Sequence, residues 1–220
     1  KPNIEENERM EKQQNILYAM GINANEGSGD ISFISTDRVA EAFDNNIFEQ
    51  IVLEEKDGQI IKQMSRDEFL KSTDDGAGME PYLINVKKEQ TKANNGNSRF
   101  LPLFKGEQDG KTVYVAPIRG KGLWDEIWGF VALDEEMIVR GTFFDHAGET
   151  PGLGANIKQR YFMDDFNGEH LLNDDGEFMG ITVAKGNNDP KNERKEYHKV
   201  DALAGATITG DGVSAMIKKD

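Results

Sequence analysis

No cysteine occurs in the 220-residue chain, and that absence removes disulfides, thiolate metal sites and thiol nucleophiles together. Positive charge is also scarce: 26 Lys and Arg against 40 Asp and Glu leave a net charge of -14. Binding a phosphate backbone needs clustered cations that displace counterions, so no nucleic-acid partner is expected, and anionic membrane surfaces are disfavoured for the same reason. No stretch approaches the roughly 18 apolar residues of a membrane-crossing helix. His146, His170 and His198, the only three histidines, form no HExxH or other local metal spacing. They read as surface or packing residues, and no metal is expected.

The common catalytic templates are missing too. GETPGLGA lacks the Lys-Ser/Thr pair that ends a P-loop, and Gly152-x-Gly154 is followed by Ile157 where a dinucleotide fingerprint wants small residues. Gly212-Val213-Ser214 has no glycine two positions on, so it is no nucleophile elbow. The acidic run NDDGE lacks the alternating ligands of an EF-hand loop and reads as a solvated turn. No acid-base pair or nucleophile emerges, and no catalytic residue is assigned.

What is present is enough for a folded interior: 37% apolar residues with 12 Phe, 5 Tyr and 2 Trp, in a length that suits one sizeable domain. A helix is expected over 3–20, its acidic start favoured by the helix dipole and its apolar face confined to Ile16, Leu17 and Met20. A second is expected over 36–47, with Val39, Phe43 and Ile47 recurring every four residues. Asp57-Gly58 and Asp109-Gly110 signal hairpins, and Ser65 with Glu68 forms a capping box. PYLINVKK, 81–88, reads as a strand between polar loops at 72–78 and 92–98. FLPLF, TVYVAPIR, EIWGFVALD, MIVRGTFF and GEFMGITVAK follow as further strands, too closely spaced for parallel crossovers. A helix is expected over 154–166 and a last one over 210–218. The expected class is α+β: a mainly antiparallel sheet with helices on one face and at the ends.

Two stretches could carry chemistry. HAGETPGLGA, 146–155, brings Glu149 and Thr150 into a Pro-Gly turn where a helix starts near Gly154, which offers backbone N–H groups with little bulk; a plain strand-turn-helix connection explains it equally well. DALAGATITGDGV, 201–213, sets Thr207 at the threshold of the last helix, cleared by Gly205, Gly210 and Gly212. A helix start presents unpaired donors and partial positive charge that favour a phosphate. The alternative is that Thr207 or Thr209 merely caps the helix.

Asp201-Ala202-Leu203-Ala204-Gly205-Ala206-Thr207 resembles the flavin-attachment motif Asp-x-x-Ser/Thr-Gly-Ala-Thr, and HAGETPGLG resembles the His/Glu-Thr-Pro-Gly-Leu-Gly turn of the same family. Their order, together with EENERMEKQQNIL and GLWDEIWGFVALD, is similar to the FMN-binding domain found in the C-type subunit of Na+-translocating NADH:quinone reductases, over most of the chain. Ala204 stands where the family usually carries Ser or Thr.

The resemblance implies FMN joined covalently by its phosphate to the Thr207 hydroxyl, placed there by a separate flavin transferase. Asp201, Gly205, Ala206 and Thr209 accompany that attachment point. The Glu149, Thr150, Gly152, Leu153 and Gly154 turn would face the ring, with Glu149 and Thr150 near its polar edge. Leu123 and Trp124, with Trp128 as a further candidate, would form an apolar wall, and Lys185 a countercharge for the reduced anion. The implied role is electron relay within the membrane reductase, with its other subunits as partners. It also implies a single N-terminal anchor in the cell membrane ahead of Lys1 and a flavin domain on the extracytoplasmic side. The expected division is a helix over 1–29, a family-specific α+β segment over 30–99 and the FMN-binding core over 100–220. The G-type subunit of the related Rnf complex, and a module holding flavin without a covalent bond, are the alternative readings.

Overall fold

Six antiparallel strands in the order β2-β1-β3-β4-β5-β6 form the central sheet: β1 Ile47–Lys56, β2 Gln59–Ser65, β3 Arg99–Gln108, β4 Lys111–Lys121, β5 Glu126–Asp134 and β6 Val139–His146. The computed structural model describes residues 4–219 except 28, 73–77, 188, 190 and 192. Most of the expected loop at 72–78 therefore lies outside the described residues. The two Asp-Gly turns work as their chemistry dictates: Asp57 and Gly58 at φ 52° and 81°, and Asp109 and Gly110 at 51° and 74°, take the left-handed conformations that match strand twist.

Helices cover both faces of this sheet, not one. Successive side chains of a strand point to opposite faces, and adjacent Phe143 and Phe144 show what each face meets. Phe143 packs edge-on to Tyr18 at 5.9 Å and to Phe33 at 5.8 Å, whereas Phe144 lies against Phe162 at 6.0 Å and Phe166 at 5.1 Å. The first face is thus capped by α1 (Ile4–Ala19) and α2 (Val39–Asn46), and the second by α5 (Arg160–Asp164). On α1 only the C-terminal half is buried, from Gln13 and Asn15 to Ala19, as the position of its apolar residues requires. A smaller cluster of Val52, Met64, Phe69, Ile84 and Phe100 sits under α3 (Arg66–Leu70) and α4 (Val86–Asn94). Ser65 caps α3 with the expected box: its backbone N–H donates to Glu68 Oε2 at 2.7 Å and its hydroxyl accepts from Glu68 N at 3.3 Å.

Several local expectations fail for identifiable reasons. PYLINVKK is no strand. Pro81 begins a 3-10 turn, Pro81–Leu83, and the Asn85 side chain accepts from Lys88 N at 3.1 Å to cap α4. A short apolar run does not by itself separate helix from strand, and here the capping asparagine decides. Residues 92–94 belong to α4, which stops at Gly96, φ 75°. The expected helix over 36–47 shortens to α2 at both ends: residues 36–38 form a turn leading into it, and Ile47 is already extended. The one over 154–166 divides into a 3-10 turn, Gly154–Lys158, and α5, with Gln159 extended between them. GEFMGITVAK contributes only β7, Thr182–Val183, paired in parallel with β8, Lys199–Val200, because Gly180 turns left-handed (φ 65°) immediately before it. In NDDGE, Asn173 Oδ1 accepts from Asp175 N at 3.0 Å and Glu177 N at 2.8 Å, so the run is a self-bonded turn. No helix among the described residues is long and apolar enough to cross a membrane.

Candidate functional site

The last helix, α6, runs Thr207–Lys219, starting three residues before the expected Gly210. Its first bond is Gly210 N to Ala206 O at 3.0 Å, so by helix geometry the N–H groups of Thr207, Ile208 and Thr209 have no intrahelical acceptor. A tight turn delivers the chain to that point: Ala206 N donates to Leu203 O at 3.1 Å, with Gly205 at φ 66°. A side chain at Gly205 would adopt an unfavourable backbone conformation and would press on Leu153 Cδ2 at 2.8 Å. Thr207 is exposed, and no hydrogen bond among the described residues uses its hydroxyl. It does not cap the helix.

Gly210 and Gly212 lie inside α6, where glycine costs about 1 kcal/mol relative to alanine. Packing accounts for them. A Cβ at Gly212 would land on the Lys121 carbonyl oxygen, and one at Gly210 would meet Val183 Cγ1 at 3.0 Å. Gly120 does the same from the sheet, where a Cβ would sit 2.8 Å from Met216 Cβ. These glycines let α6 lie close on the end of β4 and on β7.

Opposite Thr207 stands the HAGETPGLG turn. Glu149 is buried, 4% exposed. Its Oε1 accepts from Trp124 N at 2.9 Å and its Oε2 from the Thr209 hydroxyl at 2.5 Å. Burial pushes this carboxyl up, but the bonds from Thr209 and from the Trp124 and Asp125 N–H groups outweigh it and hold the group below the usual glutamate range. His146 Nδ1 accepts from Glu149 N at 3.2 Å. Burial lowers the His146 pKa, which suits a neutral imidazole with an accepting nitrogen. Glu149, expected near the polar edge of a ring, here has both carboxylate oxygens accepting from within the protein.

Four large apolar side chains on the segments that meet here are exposed, Leu123 at 43%, Trp124 at 67%, Leu153 at 41% and Ile208 at 56%; Leu153 lies against the Gly205 turn, and Trp124 is joined through Glu149 to Thr209 of α6. Trp124 is held in place, since its indole N–H donates to Thr150 Oγ1 at 3.1 Å. Gly152 (φ 77°) forms the corner of the turn, and Gly154 is buried behind it. Trp128 is not part of this wall. Its neighbour Ile127 faces α6, so Trp128 points to the other face, where it lines a groove with Glu8, Glu11, Lys12 and Asn15 of α1.

The motif's aspartate, Asp201, is half-buried and bonded within the protein. Asp201 N donates to Asp165 Oδ2 at 3.3 Å, and Asp201 Oδ1 accepts from Asp189 N at 3.4 Å. Lys185 is exposed and, following β7 in its parallel pairing with β8, runs alongside the start of the motif. Among the described residues no cluster of His, Asp or Glu is arranged to hold a metal ion.

Residues that sequence reasoning missed are Ile208, Gly122 and Asp165. Ile208 carried a readable signal, as an apolar residue beside the first residue of a helix whose own core face lies elsewhere. Gly122 and Asp165 carried none, because each acts on a partner distant in sequence.

Residues 122–219 match the FMN-binding domain family. The chain is 30% identical to the C-type subunit of the Na+-translocating NADH-quinone reductase of Pseudomonas aeruginosa, across 99% of this chain and 80% of that one. It is 31% identical to the C-type subunit of the same reductase from Yersinia pestis, across 95% and 74%. The crystal structure of the corresponding subunit from Parabacteroides distasonis superposes with a TM-score of 0.71 at 26% identity, covering 97% of this chain and 88% of that one. The chain therefore belongs to the family of C-type subunits of the Na+-translocating NADH-quinone reductases.

Proposed function

We propose that this chain carries FMN esterified through its phosphate to the Thr207 hydroxyl and relays electrons within a membrane Na+-translocating NADH:quinone oxidoreductase. The observation that carries the reading is an exposed threonine residue, its hydroxyl without a hydrogen-bond partner among the described residues, at the first residue of a helix whose start is joined through Glu149 to the segments carrying exposed Trp124 and Leu153. An acidic chain that leaves four large apolar side chains, Leu123, Trp124, Leu153 and Ile208, in water on the segments that meet at this helix start has a surface suited to a flat apolar group. The free N–H groups of Thr207, Ile208 and Thr209 suit the phosphate that would join it.

When bound, the flavin supplies the electron chemistry, and the protein sets its position, polarity and access. In this reading Leu123 and Trp124 on one side and Leu153 on the other would flank the planar ring, and Lys185 would be the countercharge for a reduced anionic form. Asp201, Gly205 and Ala206 shape the attachment turn. Net charge supports a tether: at -14 the chain repels a free flavin phosphate, whereas a covalent link keeps the cofactor at high effective concentration and removes one phosphate charge. With no substrate to turn over, the domain requires no acid-base pair.

The same reading divides the chain into an anchor-proximal helix over 1–29, a segment over 30–99 and an FMN-binding core over 100–220. It sets the domain on the extracytoplasmic side of the cell membrane beside the other subunits, with a flavin transferase acting during maturation. Coexpression with a flavin transferase tests it by intact mass. The expected result is a flavin-sized increase that disappears in Thr207→Val. An unchanged wild-type mass, or an increase that persists in Thr207→Val, overturns it; flavin that binds but separates on denaturation identifies a non-covalent module.

A further inference from the structure

The Thr207 hydroxyl is the proposed point of attachment, yet no described residue bonds to it, and the segments around it are far apart in sequence. One buried group touches all of them. Glu149 belongs to the turn that carries Thr150 and Leu153, accepts from Trp124 N at 2.9 Å and accepts from the Thr209 hydroxyl in the first turn of α6 at 2.5 Å. The surroundings are built for a carboxylate at that spot. A Cβ at Gly122 would crowd Glu149 Oε1, and a Cβ at Gly154 would land on both Glu149 Oε2 and the Thr209 hydroxyl. Gly122 and Gly154 therefore leave the space into which the carboxylate fits. Both its oxygens accept from within the protein, and the residue is only 4% exposed, so these internal contacts are what the carboxylate provides in the flavin-free chain.

We propose that Glu149 is a positioning residue: a single buried carboxylate that locks the 122–125 loop, the 146–154 turn and the start of α6 into one unit, and so fixes the Thr207 hydroxyl relative to Trp124 and Leu153. The inference rests on the reading of Thr207 as the flavin acceptor for its consequence, but the lock is a property of the flavin-free chain. Alanine cannot replace it, because it presents no acceptor where the Thr209 hydroxyl and the Trp124 and Asp125 N–H groups arrive. A buried donor left without its acceptor loses enough stabilisation to loosen a surface loop by about tenfold.

The test is amide hydrogen exchange on the flavin-free chain, combined with flavin content after coexpression with the transferase. In Thr209→Val the expected result is about tenfold faster exchange at Trp124 and Asp125, far away in sequence, with wild-type rates kept in Thr209→Ser. Glu149→Ala reproduces the effect, and the Glu149→Ala, Thr209→Val double variant adds nothing to it. Flavin content falls in the same variants and recovers in Thr209→Ser. Wild-type exchange at Trp124 and Asp125 in a folded Thr209→Val chain overturns the proposal. Should that variant not fold, Gly154→Ala, which presses on both partners, carries the same comparison. A wild-type chain that accepts no flavin overturns the function proposed for Thr207 while leaving the exchange result to decide on the lock.

Discussion

Burial raises the pKa of both Glu149 and Glu169, yet the two end shifted in opposite senses, and the difference lies in how many donors each one meets. Glu149 receives the Thr209 hydroxyl and backbone N–H groups, and its pKa falls. Glu169, fully buried, receives Lys199 N at 3.2 Å and has the Lys195 ammonium 3.6 Å from its other oxygen; burial prevails and pushes it up to about 7. The signs for stability follow. Glu169 binds its proton more tightly when folded, so its contribution declines as pH rises from the ordinary glutamate value toward 7, then levels. The shift from 4.5 to about 7 sets an upper bound of about 3 kcal/mol. Glu169→Gln is expected to flatten the pH dependence of denaturant unfolding in that window, and a slope equal to wild type would contradict the assignment. Glu149 works the other way: its stabilisation is present above the ordinary glutamate value and is lost as pH falls through its depressed one. Neither behaviour is visible in the sequence, where both are single glutamates beside glycine, histidine or threonine.

Helix α6 shows how an element can be legible in type and illegible in extent. The alternation of glycine and threonine before Val213 suggests a helix starting at Gly210, because glycine disfavours helix interiors. The helix nevertheless begins at Thr207, since what disqualifies a side chain at Gly212 is the Lys121 carbonyl oxygen across the interface, not the helix itself. Gly212→Ala thus gains about 1 kcal/mol in helix propensity but loses about 1 to 3 kcal/mol to overpacking. A net loss of stability is expected by urea unfolding, and a stabilised variant would refute the close approach. Gly205→Ala is expected to destabilise as well, by about 1 to 2 kcal/mol for the left-handed backbone alone, and to reduce flavin content by displacing the Thr207 turn against Leu153. The hairpins at Asp57-Gly58 and Asp109-Gly110 and the Ser65 capping box were readable because each is closed by residues adjacent in sequence. PYLINVKK was not, because its apolar side chains satisfy either period and the single asparagine within it settles the matter.

Across the whole molecule the charge of -14 acts as a uniform self-repulsion. The screening length shortens from about 30 Å at 0.01 M salt to about 8 Å at 0.15 M. The melting temperature should rise by about 2 to 4 °C over that range, equivalent to about 1 kcal/mol for a chain of this size; a fall would mean that the surface ion pairs, such as Arg160 with Asp164, outweigh the repulsion. The sequence by itself determined the class of the fold, the two Asp-Gly hairpins, the sheet's antiparallel sense and the threonine that the family motif singles out, because turn chemistry, strand spacing and a contiguous motif are all short-range. Only the tertiary structure decided that helices cover both faces, that Trp128 points away from the site, and that Glu149 faces inward to bind three segments together. Those outcomes depend on which side chains meet after distant residues, such as Glu149 and Thr209, 60 positions apart, have been brought into contact, and no local pattern encodes the geometry of that meeting.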